Sequence, residues 1–248
     1  MLISELLDGK NNPLFEQVSA QLEIKLEENP DWRAEAWDSI IRDGKAIILH
    51  CPVPSPHASL AIELLRIKAQ LNGFRPVIMG RTLSPQVNEM MQTIIKSLNH
   101  HFLNQKIAED FVELGYSAAQ FQDNDGGTLY FLKDQLQRED LSPLKLSILY
   151  LSFIEPQLPI SEADRQTIQS LFDRYDGGKL KSVFEGISET MRGWSLSGNY
   201  HSEPYIVDLL LNAGVTNTWF SYHNDTGKNL DPENGFFIDT PFPLNVEL

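Results

Sequence analysis

The stretch Lys45–Gly80 constrains the fold more than any other part of the sequence, because strand, turn, helix and strand signals follow one another directly. Ala46–Leu49 is a short apolar run, which is typical of a strand buried on both faces. Ser55 followed by Pro56 gives the N-cap and first-turn signals of a helix, and Gly73 is the signal for its C-terminal end. Val77–Met79 then resumes as a second apolar run. The stretch therefore predicts a βαβ unit with two parallel strands.

A βαβ unit opens a ligand crevice at the carboxyl end of its first strand. The side chains predicted to line that crevice are His50, Cys51, Ser55, His57 and Ser59. The start of the following helix presents unpaired N–H groups and the positive end of its dipole, which suit a phosphate or a carboxylate. The glycine-rich phosphate loops of dinucleotide-binding proteins and of P-loop kinases are missing from the sequence, which disfavours both classes.

The acidic balance of the chain limits its partners. The 248 residues carry a formal net charge of −14, and 42% of them are hydrophobic. Such a charge repels duplex nucleic acid and anionic membrane surfaces, and no apolar window reaches the roughly 18 residues of a membrane helix. The first residues lack a basic region leading into an apolar segment, so no secretory signal is predicted. We therefore expect a cytoplasmic protein with a small-molecule substrate, and neither a nucleic-acid nor a membrane partner.

Cys51 is the single cysteine of the chain, which excludes an internal disulfide framework and a cysteine-rich zinc site. A thiolate beside a helix start has a lowered pKa and can act as a nucleophile. Cys51 nevertheless continues an apolar strand, and a cysteine in that position behaves as a small hydrophobic residue. We predict that Cys51 is a buried core residue.

Residues 1–43 are predicted to form an acidic helical segment that packs on a single α/β domain spanning residues 1–248. Two Asn-Pro pairs, at positions 12–13 and 29–30, are helix-start signals within this segment. The second predicted helix contains Trp32 and Trp37. These tryptophans either pack the helical layer against the domain or form an exposed surface for a protein partner.

The middle of the chain contains one clear helix and two segments predicted as strands. Pro85 begins a long amphipathic helix, and His100 and His101 are placed at its C-terminal end, where the helix dipole favours them. Thr128–Leu132 is predicted as a strand. Residues 144–153 are ambiguous because a Ser-Pro helix start precedes an Ile-, Tyr- and Phe-containing run, and we predict a strand over Ser147–Phe153.

Gln122–Gly127 is the clearest loop of the sequence. Asp123 and Asp125 within it form an Asp-x-Asp pair that can hold a divalent cation such as Mg²⁺ or Mn²⁺. The same Asn-Asp-Gly-Gly run is also ordinary turn chemistry, so a turn without a metal is the alternative. The loop does not match an EF-hand, because Phe121 and Gly127 occupy positions that need oxygen ligands.

Gly193–His201 is predicted as a polar loop in front of a helix over Glu203–Asn212. Two further apolar runs, at positions 218–222 and 236–238, predict a C-terminal antiparallel strand pair. The complete prediction is an α/β fold with a mainly parallel open sheet flanked by helices, an acidic helical N-terminal segment and this C-terminal pair.

The functional hypothesis is a cytoplasmic enzyme, a transferase or hydrolase, that acts on a small polar or phosphorylated substrate with the help of a divalent metal. The alternative is a non-catalytic adaptor that holds a protein partner through the N-terminal segment. In the enzyme hypothesis, histidines supply acid–base chemistry and the aspartates hold the metal or orient the substrate. The predicted catalytic residues are His50, His57 and His201, the predicted substrate-binding residues are Ser55, Ser59, Ser197 and Asn199, and the predicted metal ligands are Asp123 and Asp125.

Overall fold

A computed structural model describes residues 2–31, 36–74, 77–82, 85–121, 127–138, 141–154, 160–175, 180–213, 218–222 and 236–237. After a short 3-10 helix (Ile3–Glu5), the helices are α1 (Asn12–Ser19), α2 (Pro56–Leu71), α3 (Pro85–Glu113), α4 (Ala118–Phe121), α5 (Gly127–Leu136), α6 (Pro143–Phe153), α7 (Glu162–Asp173), α8 (Lys181–Leu196) and α9 (Glu203–Asn212). The strands are β1 (Glu23–Glu28), β2 (Asp38–Arg42), β3 (Lys45–His50), β4 (Val77–Thr82), β5 (Thr218–Tyr222) and β6 (Phe236–Phe237). The described part is thus mixed α/β, as predicted.

The described strands form two small sheets, and the prediction of one mainly parallel open sheet is wrong. In the first sheet, with the order β1-β3-β2, β1 runs parallel and β2 antiparallel to β3. In the second, with the order β4-β5-β6, both pairs are antiparallel. The two strands of the expected βαβ unit, β3 and β4, lie in different sheets, so α2 connects two sheets.

A local hairpin explains why β3 does not pair with β4. Asp43 and Gly44 both have positive φ, 51° and 73°, and they form the tight turn between β2 and β3. Two-residue turns with positive φ are the favoured hairpin connection, and Asp-Gly is one of their typical sequences. β3 therefore has β2 along one edge and β1 along the other.

The N-terminal segment is only partly helical, which corrects the prediction for residues 1–43. The first Asn-Pro pair starts α1 as expected, but β1 and β2 follow it. In β1, Ile24 and Leu26 are half-buried, while Glu23, Lys25 and Glu27 on the alternate positions are exposed. This period-two alternation is the pattern of a strand with one face on the core, and it overrides the helical spacing proposed for the segment.

α2 runs through the core. Ten of its sixteen residues are buried, including the polar residues Ser59 and Glu63. It packs against α1, β2, α3 and α4. A helix that is buried around most of its circumference belongs in the interior of a domain. Pro56 begins it as predicted, and Gly73, with a φ of 105°, follows its C-terminal end.

Two segments predicted as strands are helices. Thr128–Leu132 lies inside α5, and Ser147–Phe153 lies inside α6. The Ser142 side chain accepts a hydrogen bond from the Lys145 backbone N–H at 3.3 Å, which caps the start of α6. Five α6 residues are buried. The apolar composition of this segment therefore reflects burial of a helix, and its N-cap signal was the correct one.

Helix lengths differ from the prediction at two further places. α3 continues to Glu113, so His100 and His101 lie well inside it and the helix-end explanation for them is wrong. α8 continues through Gly193 to Leu196 because Met191 and Trp194 extend its buried stripe. α9 and the antiparallel pair β5 and β6 agree with the prediction.

Buried hydrophobic residues from Leu6 to Leu209 form one connected cluster. Trp194 is fully buried in this cluster, and its ring centroid lies 5.7 Å from that of Phe102 and 6.3 Å from that of Phe74. The prediction of a single domain over residues 1–248 stays a prediction. None of the helices in the described ranges is long and apolar enough to cross a membrane.

Candidate functional site

The start of α2 holds His57, which was predicted as a catalytic residue. Its Nδ1 atom lies 2.9 Å from the Leu6 carbonyl oxygen. A carbonyl oxygen only accepts, so Nδ1–H is the donor, and in the neutral ring Nε2 carries the lone pair. Ser55 occupies the N-cap position, but its side chain makes no capping hydrogen bond. His57 is therefore oriented by the N-terminal segment, with Nε2 as its basic atom.

The same helix start is tied to the N-terminal segment by further hydrogen bonds. The Asn11 side-chain amide donates to the carbonyl oxygens of Leu6 at 2.9 Å and His57 at 3.2 Å. Asp8 accepts from the backbone N–H groups of Lys10 and Asn11 and from the Tyr116 hydroxyl, which lies 3.0 Å away. The start of α2, where a ligand was expected to bind, is thus contacted by polar groups of the N-terminal segment.

These contacts change the ionisation of both Asp8 and Tyr116. Burial alone would raise the pKa of Asp8, but the hydrogen bonds from Asn11, Lys10 and Tyr116 outweigh it and hold that pKa below its usual value. Burial and the hydrogen bond to Asp8 raise the pKa of the Tyr116 hydroxyl. Asp8 is therefore a stable acceptor and Tyr116 a stable donor near neutral pH.

The other residues of the predicted crevice are mostly enclosed. Cys51 is 6% exposed, which confirms it as a core residue, and its carbonyl oxygen accepts a hydrogen bond from Trp37 Nε1 at 2.8 Å. The half-buried His50 ring lies 5.9 Å from the Trp37 ring. Ser59 is buried and donates to the Ser55 carbonyl oxygen at 3.3 Å. Among all the side chains predicted to line the crevice, only that of His57 is well exposed.

The structure tests the prediction for one of the two N-terminal tryptophans, whereas the aspartate pair lies outside the described residues. Trp37 is 5% exposed, so it packs in the core and does not form a partner surface. Trp32 lies outside the described residues. The predicted metal ligands Asp123 and Asp125 also lie outside them. Across the described ranges, no group of three or more His, Cys, Asp or Glu side chains is arranged to hold a metal ion.

The polar connection between α8 and α9 contains three predicted residues, and one of them, Ser197, contacts a lysine that sequence reasoning missed. Lys106 of α3 donates through Nζ to the Ser197 backbone carbonyl oxygen and to Ser197 Oγ, the latter at 2.9 Å. The same Nζ atom lies 4.3 Å from the Trp194 ring centroid and 5.8 Å from that of Tyr200. We call Lys106 together with residues 197–201 the Lys106 site.

Ser197 positions Lys106. It follows α8 as its C-cap, and its hydroxyl donates to the Trp194 carbonyl oxygen at 2.8 Å while accepting from Lys106. The Asn199 side-chain oxygen accepts from the His201 backbone N–H at 3.1 Å, which shapes the turn. Asn199 and His201 are exposed. Burial lowers the pKa of the Lys106 ammonium group.

A second missed cluster connects α2 to α3. Arg66 donates to Glu63 Oε1 at 2.6 Å and to Asn104 Oδ1 at 3.3 Å, and the Asn104 amide lies 2.9 Å from His100 Nε2. The next residue of α3 is His101, whose Nε2 atom lies 3.2 Å from Ser152 Oγ of α6. His100 Nδ1 also lies 3.5 Å from Arg66 Nη2, so both histidines take part in interhelical polar contacts, with His101 buried and His100 exposed. The burial of Glu63 raises its pKa, although Arg66 counteracts this.

Sequence spacing gave no signal for either cluster. Lys106 and Ser197 are 91 residues apart, and a lysine within a long amphipathic helix looks like an ordinary surface residue. Within the described ranges, no hydrogen bond or ring contact joins His50 or His57 to the Lys106 site. By their contacts, the predicted residues fall into a His50 group, a His57 group and the Lys106 site.

Comparison with known protein families, curated proteins and solved structures finds no match for this chain.

Proposed function

We propose that this protein is an enzyme that binds a small phosphorylated substrate at the Lys106 site and acts on it by group transfer or hydrolysis. The observation that supports this proposal is the set of partners of the Lys106 ammonium group. Its hydrogen-bond acceptors are the two neutral oxygens of Ser197. Among the described residues, no carboxylate lies within ion-pair distance of it. Its positive charge is therefore available to an anion.

The surroundings favour an anionic ligand at this position. Trp194 and Tyr200 partly shield Lys106 from water, and a charge interaction is stronger where water is excluded. At 4 Å, two unit charges at a protein surface attract each other by about 4 kcal/mol for an effective dielectric constant of ~20. A phosphate group bound to Lys106 would thus gain substantial binding energy in an otherwise acidic protein.

His201 is our candidate for the acid–base residue. It is exposed next to Asn199, and a histidine changes protonation near neutral pH. Asn199 would donate a hydrogen bond from its amide, and Ser197 would hold Lys106 in place. His57, through Nε2, is the competing candidate. Asp123 and Asp125 remain the proposed ligands of a Mg²⁺ or Mn²⁺ ion.

Ligand screening by thermal unfolding tests substrate binding. We expect a phosphorylated compound from a panel of sugar phosphates, nucleotides and inorganic pyrophosphate to raise the unfolding temperature, with and without Mg²⁺ or Mn²⁺. A ligand at 100 times its dissociation constant stabilises the folded state by about 2.7 kcal/mol. The shift should disappear in Lys106→Met and persist in Lys145→Met, which removes an exposed lysine of α6. The same shift in both variants, or no phosphorylated ligand for the wild type, would contradict the proposal.

Turnover of the identified ligand tests the catalytic assignment. We expect His201→Ala to lower kcat by about 100-fold with little change in KM, because general acid–base catalysis typically contributes at least that factor. His57→Ala should retain most of the activity. The reverse result would move the acid–base role to the start of α2. Full activity in both variants would show that neither histidine acts as the acid–base residue.

A further inference from the structure

A solvent-accessible pocket of about 430 Å³ lies between α6, α7 and α8, and the proposed function does not use it. Its size falls within the range of about 300–1,000 Å³ that is usual for small-molecule sites. The lining combines aromatic, charged and hydrogen-bonding side chains. The lining includes Tyr150, Asp173, Phe184, Glu185, Ser188 and Glu189.

One wall of the pocket is aromatic and held in place. The Tyr150 ring stacks on the Phe184 ring with centroids 4.5 Å apart and an interplanar angle of 19°. The Tyr150 hydroxyl lies 3.0 Å from Ser188 Oγ, within hydrogen-bond distance. Phe172 packs edge-on against Tyr150 from the core, at 5.3 Å. The partly exposed Tyr150 ring, backed by the buried Phe184, therefore forms a fixed surface on which a flat or cationic group can rest.

The charged residues of α8 that line the pocket follow a fixed order along the helix. Lys181 and Arg192 mark the two ends, and Glu185 and Glu189 lie between them, one helical turn apart. Asp173 adds a third carboxylate from α7. Lys181 and Glu185 approach only to 3.9 Å and both are exposed, so this ion pair is weak and leaves Glu185 available.

We propose that this pocket binds a small organic cation, an amine or quaternary ammonium compound, with its positive charge between Glu185 and Glu189 and against the Tyr150 ring. Carboxylates and aromatic faces are the groups that together recognise organic cations. The three carboxylates outnumber the two cationic side chains, which disfavours an anionic ligand. This site differs in its residues and its charge from the Lys106 site, so either proposal can fail alone.

Calorimetric titration tests the proposal with tetramethylammonium and putrescine as probes, tert-butanol as a neutral analogue of the former, and inorganic phosphate as an anion. We expect the wild type to bind a cation and to bind tert-butanol and phosphate much more weakly. The double variant Glu185→Gln/Glu189→Gln should weaken cation binding by at least about tenfold, which corresponds to roughly 1.4 kcal/mol. Tyr150→Phe, which keeps the ring, should retain the affinity.

The matched control is Glu109→Gln/Glu162→Gln, which changes the net charge equally by removing two exposed carboxylates outside the pocket lining. We expect it to bind the cation as the wild type does. The proposal is overturned if neither cation binds, if tert-butanol or phosphate binds equally well, or if both double variants lose the same affinity. Unfolding curves for each variant confirm that the compared proteins are folded.

Discussion

Glu63 is 1% exposed within α2, and its contacts determine how its charge is tolerated. Arg66 donates to one carboxylate oxygen, whereas Oε2 is buried with no hydrogen-bond partner among the described residues. Burial raises the pKa of Glu63 despite the opposite effect of Arg66. A raised pKa in the folded protein contributes stability below the unfolded-state pKa, about 4.3, and that contribution is lost as pH rises through the folded-state pKa.

Replacing Glu63 by glutamine should therefore flatten the pH dependence of stability. We expect the free energy of unfolding of Glu63→Gln to fall less than that of the wild type as pH rises from about 4 towards neutrality. Each unit by which the pKa is raised corresponds to about 1.4 kcal/mol. Urea unfolding at several pH values measures this, with the exposed Glu162→Gln as the control. Parallel curves for the wild type and Glu63→Gln would show that the buried carboxylate is not the cause.

At the scale of elements, helix starts could be predicted where a side chain caps the backbone locally. Ser161 Oγ accepts from the Asp164 N–H at 3.1 Å and donates to the Asp164 carboxylate at 2.7 Å, so a local Ser-x-x-Asp sequence marks the start of α7. The same kind of signal at Ser142 was correct for α6 but was outweighed by its apolar composition. Strand and helix are hard to distinguish in a short, fully buried apolar run, because periodicity disappears there.

Loss of the α7 cap should measurably destabilise the protein. We expect Ser161→Ala to lower the free energy of unfolding by about 1 kcal/mol, because one backbone N–H of the first turn loses its acceptor. Ser182→Ala, at an exposed α8 position, is the control and should change stability by less than about 0.5 kcal/mol. Equal effects of the two substitutions in denaturant unfolding would mean that Ser161 does not stabilise α7.

At the scale of the whole molecule, the arrangement of elements could not be read from local signals. β3 and α2 were predicted at nearly their observed positions, yet the sheet assignment failed because the pairing of β3 depends on β1 and β2. The Asp43-Gly44 turn was the available signal for that hairpin. The Lys106 site was harder to foresee, because packing of α3 against α8 creates it. Ser197 was identified from its polar loop, but Lys106, which donates to it, was not.

The central claim is that Lys106 binds the anionic group of the substrate, and the pKa of its ammonium group tests this directly. Burial lowers that pKa in the unliganded protein, whereas a bound anion stabilises the charged form and raises it. We expect NMR titration of the Lys106 side chain to give a higher pKa when the phosphorylated ligand is bound. An unchanged Lys106 pKa in a saturated complex would contradict the claim.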